Sequence, residues 1–468
     1  MRQIGEIASA WVQNQKIVLQ VKYSPQTFLR HADDESLLWN RRTSACVILK
    51  DAKPFLDALS YEPQRVDEVI RRVAAAFGVV PDEVAPDVRE FLKMLVAESF
   101  CTADGGKQEY AAAADSGANV SFDADGEVKD DSWTPLGSFF EKHKLPTELH
   151  IDLTNGCTER CVHCYIPDYT PRFLPLATAR KILDEFRAAG GLTVHFSGGE
   201  CMMHPDFSEI LRHAKGLHLN MLVLSNLTLC DEKMVALLRE IDPQFVNVSL
   251  YSMDAAVHDR VTKLPGSWER TMGAILALEK AGVHIRLACP VMKPNRDSLP
   301  GLLKFAREHH MHLIPDLDIF GQCDHDCSNQ SCALAPEEFE AVLKEHRKLF
   351  YRQPADPSLY APEEKVCDIG KARIDVNAEG IYYPCDGCHG IALGNAATHT
   401  FRDVWFGEKL EALRALKNRD FPGCSECENR PWCKVCPTRN FNETGDIFKH
   451  DPARCAAAAI KRTIYGDI

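Results

Sequence analysis

The sequence has no apolar run long enough to cross a bilayer, and its start, MRQIGEIASAW, lacks the apolar core of a signal peptide. These absences predict a cytoplasmic protein without membrane spans. Positive charge is also scarce, because 54 Lys and Arg residues stand against 67 Asp and Glu residues, a formal net charge of −13. This balance argues against a nucleic-acid or anionic-membrane partner. No internal repeat is evident.

Cysteine, in contrast, is abundant. The chain of 468 residues contains 19 cysteines, an odd number. In a long chain with no sign of secretion, this count predicts metal clusters and not a disulfide framework. The length predicts roughly two to four domains, and a hydrophobic content of 45% is sufficient for a sizeable core.

Three cysteines form one short loop, CTERCVHC, directly after a strand-like run. They are Cys157, Cys161 and Cys164, and residues 157–164 are named the first cysteine loop. Thiolates hold iron–sulfur clusters, and three ligands on a four-iron cluster leave one iron open to bind another molecule. A structural zinc site requires four closed ligands, so zinc fits this spacing poorly.

The first cysteine loop resembles the signature of radical S-adenosylmethionine (radical SAM) enzymes, with His163 at the usual aromatic position. The resemblance implies that its three cysteines bind a [4Fe–4S] cluster whose open iron chelates S-adenosylmethionine. One electron then splits the sulfonium, and the product is a 5′-deoxyadenosyl radical.

Strand and helix patterns alternate between Thr147 and Phe350. Strands are predicted at Leu149–Thr154, Thr193–Ser197, Leu219–Ser225, Phe245–Tyr251, His284–Val291 and Leu313–Ile319. Helices are predicted to begin near Leu176, Asp206, Glu232, Trp268, Leu299 and Glu337. Six such pairs predict an α/β fold with a parallel sheet, whose ligands bind at the carboxyl ends of the strands. The family resemblance implies a partial (β/α)6 radical SAM barrel over residues 134–350.

Several polar residues follow these strands and match family positions that contact S-adenosylmethionine. Ser197, Gly198, Gly199 and Glu200 match the GGE motif that binds its amino group, since glycines permit close backbone approach. The resemblance extends to Ser225, Asn226, Ser249 and Arg260. Ser249 is equally explained as a buried hydroxyl, and Arg260 is either a carboxylate ligand or a surface charge.

A second loop, GQCDHDCSNQSC, follows the sixth strand and contains Cys323, Cys327 and Cys332. Residues 323–332 are named the second cysteine loop. Four interpretations of this loop are open: it binds a metal of its own, donates a ligand to a neighbouring cluster, supplies a catalytic thiol, or has no chemical role. Cys327 and Cys332 are predicted to be the catalytic thiols.

The C-terminal region, residues 351–468, carries seven spaced cysteines and resembles the SPASM domain, which binds two auxiliary [4Fe–4S] clusters. By position, Cys367, Cys385 and Cys436 hold the first of these clusters. The fourth ligand is Cys388 or comes from the second cysteine loop, or one iron stays open. The second cluster takes four further ligands, namely Cys424, Cys427, Cys433 and Cys455. Zinc is the alternative for the CxxC pairs seen alone.

Residues 1–103 combine alternating strands at Lys16–Lys22 and Ser44–Lys50 with helical spacing at Val66–Phe77 and Val88–Val96. This pattern is winged-helix-like and resembles the PqqD-like recognition element, which binds a leader peptide as an added strand. The alternatives are DNA binding, for which only Arg71 and Arg72 are adjacent and basic, and a packing role alone. Residues 104–133 are acidic and predicted to be a linker.

Together these features predict a ribosomal-peptide maturase with three [4Fe–4S] clusters, forming a thioether or another cross-link. Its partners are a precursor peptide, with the leader on residues 1–103, and an electron donor such as flavodoxin or ferredoxin. The alternatives are a sulfatase-maturating-type, peptide-epimerising or small-molecule radical enzyme, and a non-catalytic iron–sulfur redox or regulatory protein.

Overall fold

The computed structural model describes residues 20–103, 121–122, 128–129, 133–351 and 356–466. The chain forms two compact units, residues 1–143 and residues 144–468. Most of the predicted linker 104–133, and residues 16–19 of the first predicted strand, lie outside the described residues. None of the described helices combines the length and the apolarity needed to cross a membrane.

The described part of the first unit contains two three-stranded antiparallel sheets, one two-stranded sheet and four helices. Its strands are β1 (Gln20–Tyr23), β2 (Thr27–Ala32), β3 (Glu35–Asn40), β4 (Cys46–Lys50), β5 (Gln64–Arg65), β6 (Cys101–Ala103), β7 (Ser121–Phe122) and β8 (Val128–Lys129). Its helices are α1 (Lys53–Asp57), α2 (Val66–Phe77), α3 (Pro81–Ala97) and α4 (Trp133–Lys142). The sheets have the orders β5-β1-β6 and β2-β3-β4, and β7 pairs with β8.

The predicted helices at 66–77 and 88–96 are confirmed as α2 and as part of α3. Their apolar faces pack into one core with β1 and β6, through residues such as Val69, Val73 and Leu95. Strands β2 and β3 were not predicted. All six residues of β3 are buried, so the strand lacks the polar–apolar alternation by which a half-exposed strand is recognised.

The second unit is built on a nine-stranded sheet. Its strands are β9 (Glu148–Asp152), β10 (Thr193–Ser197), β11 (Asn220–Ser225), β12 (Phe245–Ser249), β13 (Ile285–Pro290), β14 (His312–Asp316), β15 (Arg373–Val376), β16 (Ile381–Tyr383) and β17 (Gly394–Asn395). The order is β14-β13-β12-β11-β10-β9-β15-β16-β17. Strands β9 to β14 are mutually parallel, as predicted.

The helices of this unit follow the predicted alternation. They are α5 (Leu176–Ala188), α6 (Phe207–Gly216), α7 (Glu232–Ile241), α8 (Ala255–Thr262), α9 (Ser267–Lys280), α10 (Leu299–Glu308), α11 (Pro336–Glu345), α12 (Arg347–Phe350), α13 (Phe401–Trp405), α14 (Glu408–Arg414), α15 (Pro437–Thr444) and α16 (Pro452–Tyr465). Helix α8 was not predicted, although Asp254 caps it by accepting a 2.8 Å hydrogen bond from the Ala256 amide.

Alternate residues of the parallel strands face opposite sides of the sheet. One set, which includes Leu149, Ile151, Val194 and Phe196, packs against the helices and forms the main core. The other set faces the concave side, which is named the lumen. Strand β15 extends the sheet beyond β9, and its register places Asp375 opposite His150 and Arg373 opposite Glu148.

Candidate active site

The first cysteine loop follows β9 at the carboxyl end of the parallel strands. Its backbone is fixed to the end of α8, because the Arg160 amide donates to the Thr262 carbonyl at 2.9 Å and the Val162 amide donates to the Val261 carbonyl at 3.0 Å. An unpredicted helix therefore holds the predicted loop in place.

The three cysteines of this loop are half-buried, and their thiols influence one another electrostatically. Burial raises the pKa of Cys157 to about 12, with further contributions from Glu200, Glu159 and the thiol of Cys164. Burial likewise raises the pKa of Cys161 and of Cys164. The amide Nδ2 of Asn226 lies 3.6 Å from the Cys157 sulfur, and the Tyr251 hydroxyl lies 3.6 Å from the Cys161 sulfur. Three thiols crowded in this way need a cation to become thiolates.

The GGE turn lies directly against the first cysteine loop. A Cβ atom on Gly198 would stand 2.1 Å from the Thr154 carbonyl oxygen, and one on Gly199 would stand 2.3 Å from the Gly156 carbonyl oxygen. The Gly199 amide donates to the Thr154 carbonyl at 2.7 Å. Only glycine allows this approach, since side-chain carbons do not come within 3 Å of backbone oxygen.

The carboxylate of Glu200 is fully buried and joins two strand ends. It accepts hydrogen bonds from the Ser225 hydroxyl at 2.9 Å and from the Asn226 amide at 2.8 Å. A third hydrogen bond comes from the Met202 amide at 3.0 Å. Burial raises the pKa of Glu200. The side chains of Glu200 and Ser225 are thus engaged with each other, and backbone groups remain for a ligand.

The C-terminal cysteines influence one another's pKa values within two groups. The thiol of Cys436 contributes to the raised pKa values of Cys367, Cys385 and Cys388, in each case after burial. In the other group, burial and the thiols of Cys427 and Cys433 raise the pKa of both Cys424 and Cys455. These mutual effects are consistent with the two predicted ligand sets, whose cluster-binding roles remain predictions.

Family comparison agrees with this arrangement. Residues 151–306 match the model of the radical SAM superfamily, and residues 367–437 match SPASM, described as an iron–sulfur cluster-binding domain.

Residues 151–306 are therefore a radical SAM domain, and residues 367–437 are a SPASM domain.

Curated relatives fall into more than one activity class. An AdoMet-dependent heme synthase of Methanosarcina barkeri is 27% identical over 336 residues, covering 66% of this chain and 95% of that protein. A PqqA peptide cyclase of Granulibacter bethesdensis is 25% identical over 330 residues, covering 66% and 87%. Among solved structures, Streptococcus suis SuiB bound to precursor peptide SuiA shares the fold over 93% of this chain and 99% of that one, with a TM-score of 0.55 and 15% identity.

The donor sets of this radical SAM protein fit the clusters that its family implies. Thiolate sulfur is the usual protein ligand of iron–sulfur clusters, and none of the described cysteines forms a disulfide. The positive charge of bound iron would oppose the effect of burial and favour the thiolates. The cysteines of the first loop and of the SPASM domain are thus chemically suited to iron–sulfur clusters, and the number of clusters remains a prediction.

Two of the predicted cofactor-binding residues, Ser249 and Arg260, have surroundings that differ from those of the other six. Ser249 is half-buried at the end of β12 and lies near Tyr251, whose hydroxyl contacts the Cys161 sulfur. Arg260 is exposed on α8. The binding roles of these two residues, like those of the other six, remain predictions.

The thiols of the second cysteine loop have three different surroundings. Cys332 lies 3.5 Å from the Met292 sulfur and packs in a small apolar cluster with Cys161 and Tyr251. Cys327 borders Gly321 and the carboxylate of Glu443. Cys323 lies near His389 and contributes to the raised pKa of that imidazole. These separate contacts do not support a metal site of the loop's own, and of the two predicted catalytic thiols only Cys332 packs with a ligand of the first loop.

Sequence reasoning missed Asn329, which attaches the second cysteine loop to the first. Its side-chain amide donates to the carbonyls of His163 at 3.1 Å, Cys164 at 3.3 Å and Phe320 at 2.8 Å. An asparagine within a polar loop carries no signal of such a role.

Sequence reasoning also missed the polar lining of the lumen. Its side chains include His150, Asp152, His195, Asn247, Arg286 and Asp375, which alternate with the core residues along their strands. His195, Asn247 and Arg286 are only half-buried, so the lumen is open to solvent. Arg373, at the start of β15, pairs with Glu148 at 2.7 Å and with Asp386 at 3.0 Å. The alternation of polar and apolar residues in the segment ELHID was the sequence signal that could have revealed this polar lining.

Proposed function

We propose that this radical SAM protein is a ribosomal-peptide maturase that removes a hydrogen atom from a precursor-peptide residue and forms a thioether or another cross-link. The observation that carries the peptide assignment is the first unit, residues 1–143, on the same chain as the radical SAM and SPASM domains. The fold shared with peptide-bound SuiB over 93% of the chain supports the proposal.

The first unit offers an edge at which a leader peptide can add as a strand. Strand β4 pairs with β3 along one side, and none of the described strands pairs with its other side. Ile48 of β4 is 36% exposed although it is a large apolar residue. An unpaired edge with an exposed apolar side chain matches peptide binding by strand addition.

The helices of the first unit do not favour DNA as the ligand. Arg72 of α2 hydrogen-bonds to Gln64 at 3.0 Å and pairs with Glu68, so part of its charge is neutralised. Helix α2 begins with Asp67 and Glu68, and α3 with Asp82 and Glu83. A recognition helix that binds a phosphate backbone requires the opposite charge.

The lumen suits a peptide core segment beside the first cysteine loop. Bound S-adenosylmethionine and the first cluster would supply a radical able to remove hydrogen from an unactivated carbon. The first loop and the GGE turn position the cofactor, and the lumen side chains orient the peptide and limit its contact with water. Flavodoxin or ferredoxin is the proposed electron donor. The proposed compartment is the cytoplasm, because its reducing conditions suit iron–sulfur clusters that solvent can reach.

The activity test is anaerobic. The protein is reconstituted with iron and sulfide, reduced with dithionite, and incubated with S-adenosylmethionine and a synthetic peptide encoded beside its gene. We expect 5′-deoxyadenosine and a peptide product lighter by two hydrogen atoms. Deuterium uptake from solvent without a mass loss would instead indicate epimerisation. Absence of 5′-deoxyadenosine from fully loaded protein would contradict every radical-enzyme reading and favour a redox or regulatory role.

The leader site is tested by hydrogen exchange on the full chain with the same peptide. Added strand pairing protects backbone amides, so we expect slower exchange in β4 and unchanged exchange in β2, the other edge of that sheet. Protection confined to the second unit would contradict leader binding by residues 1–143.

A tetrapyrrole is the second candidate substrate, because the heme synthase relative shows the higher identity of the two curated proteins. Incubation with iron coproporphyrin III under the same conditions tests it. A change in the mass of the porphyrin, with the peptide unmodified, would favour this class over the maturase.

A further inference from the structure

Three side chains converge in the lumen where β9 meets β15. They are His150 and Asp152 of β9 and Asp375 of β15, which is opposite His150 in the strand register. One potential ligand atom from each residue lies within 4.8 Å of the other two. All three residues are buried, with exposed fractions of 4%, 4% and 0%.

Each of these side chains carries a buried atom without a hydrogen-bond partner among the described residues. The atoms are Nε2 of His150, Oδ1 of Asp152 and Oδ1 of Asp375. Nε2 of His150 and Oδ1 of Asp152 are 3.3 Å apart, but they are not aligned as a hydrogen bond. Unpaired buried polar atoms are costly and rare in proteins, so three at one point indicate a missing partner.

The separation between these atoms matches two ligands of one metal ion. With metal–ligand bonds of about 2.1 Å, adjacent ligands in octahedral or tetrahedral geometry lie about 3.0–3.4 Å apart. One imidazole and two carboxylates are a donor set for divalent first-row ions. The two negative charges of the carboxylates would neutralise such an ion.

A fourth residue, His389, contacts the two carboxylates without being one of the three proposed ligands. Its Nε2 lies 2.9 Å from Oδ2 of Asp375, the oxygen that is not directed into the set, and 3.7 Å from Oδ2 of Asp152. A histidine that binds the far oxygen of a ligating carboxylate fixes its orientation, which is the usual support of protein metal sites.

We propose that His150, Asp152 and Asp375 bind a divalent transition-metal ion, separate from the cysteine-bound clusters. The ion cross-links β9 of the radical SAM barrel to β15 and so fixes one wall of the lumen. This inference stands apart from the peptide assignment, since it concerns only the second unit and a measurement made without substrate.

A proton is the competing occupant. Burial alone would lower the pKa of His150, but the carboxylates of Asp152 and Asp375 raise it to about 9. The hydrogen bond to Asp375 also raises the pKa of His389, against the effect of burial, to about 11. With both histidines protonated, two positive charges would balance the two carboxylates without an ion. The experiment therefore measures metal binding directly, and not activity.

The test uses the full-length protein with its clusters loaded and Zn²⁺ as the probe. After dialysis against Zn²⁺ and removal of the excess, we expect one zinc per chain beyond the iron. X-ray absorption at the zinc edge should show nitrogen and oxygen ligands at about 2.0–2.2 Å and no sulfur at about 2.3 Å. Sulfur ligation would mean that zinc occupies cysteine sites, and this result, or no retained zinc, would overturn the proposal.

Variants then locate the ion. His150→Gln and Asp375→Asn should lose zinc retention, and His389→Gln should weaken binding roughly 10- to 100-fold. The matched control is His195→Gln, because His195 also faces the lumen and its ring lies 6.1 Å from that of His150. Equal retention in His150→Gln and wild type would contradict the assignment. Iron content and circular dichroism check folding, and the wild-type spectrum decides the proposal even if a variant fails to fold.

Discussion

At the scale of single residues, the close approach of the GGE turn and the first cysteine loop depends on two glycines. Gly198 has a φ angle of +122°, which side-chain-bearing residues rarely adopt, and the space for its Cβ is taken by the Thr154 carbonyl. Steric demand and backbone conformation therefore require the same residue at this position.

Gly198→Ala is expected to displace the turn and to destabilise the protein by roughly 1–3 kcal/mol. The measurement is chemical denaturation together with iron content after anaerobic reconstitution. Gly273→Ala is the control, because a Cβ at that position in α9 meets no atom within 4 Å and Ala is the better helix former. If both variants behave alike, the close approach does not matter for stability.

Cys161→Ala is expected to abolish formation of 5′-deoxyadenosine and to lower the iron content by about four atoms from about twelve, one cluster of three. The cause is loss of a thiolate ligand in the first loop. Cys230→Ala is the matched control, since Cys230 is also half-buried and lies outside every cysteine group described here. Unchanged cleavage in Cys161→Ala would contradict the ligand assignment.

At the scale of elements, α8 and the turn after it determine where the first cysteine loop lies. Asp259 in α8 accepts hydrogen bonds from the Gly266 amide at 2.6 Å, the Ser267 hydroxyl at 2.9 Å and the Trp268 amide at 2.9 Å. This carboxylate fixes the connection between α8 and α9, and thus the helix end to which the loop is bonded.

The same hydrogen bonds make this element sensitive to acid. Burial alone would raise the pKa of Asp259, but the bonds from Trp268, Gly266 and Ser267 lower it. A carboxylate with a lowered folded-state pKa stabilises the protein above its unfolded pKa of about 4, and that contribution is lost as the pH falls through the folded value.

Asp259→Asn should therefore lower the free energy of unfolding by about 2 kcal/mol at neutral pH, and the difference from wild type should shrink below about pH 4. Urea denaturation across pH measures it. Asp206→Asn is the control, because Asp206 precedes α6 but makes no side-chain capping bond. A difference that does not vary with pH would contradict the role of the charge.

At the scale of the whole second unit, β15 makes the barrel and the C-terminal region one sheet. Arg373 reinforces this junction by pairing with Glu148 of β9 and with Asp386, which follows the β15–β16 hairpin. Removing the guanidinium would leave two partly buried carboxylates without their partner.

Arg373→Met is expected to lower the free energy of unfolding by roughly 2 kcal/mol or more and to reduce cluster loading in the adjoining Cys385 group. Denaturation and iron analysis measure both effects. Arg239→Met, on the exposed face of α7, serves as the control and should match wild type. Loss of stability in both variants would point to a general effect of charge and not to the junction.

Prediction from sequence succeeded where the signal is local. The runs around Thr193, Leu219 and Ile285 are apolar and bounded by turns, and each became a strand of the parallel sheet. Helix α8 and strand β3 were not predicted from the sequence, because the helix is short and the strand is buried on both faces. Their formation depends on neighbours that are distant in the chain.

The sequence by itself identified the radical SAM and SPASM domains and the parallel sheet, because cysteine spacing, the GGE turn and strand–helix alternation all lie within short segments. Only the tertiary structure decided which distant groups meet. It placed Asp375 beside His150, Cys323 beside His389 and Cys332 beside Cys161. These contacts follow from strand register and loop packing across many residues, and no local pattern encodes such pairings.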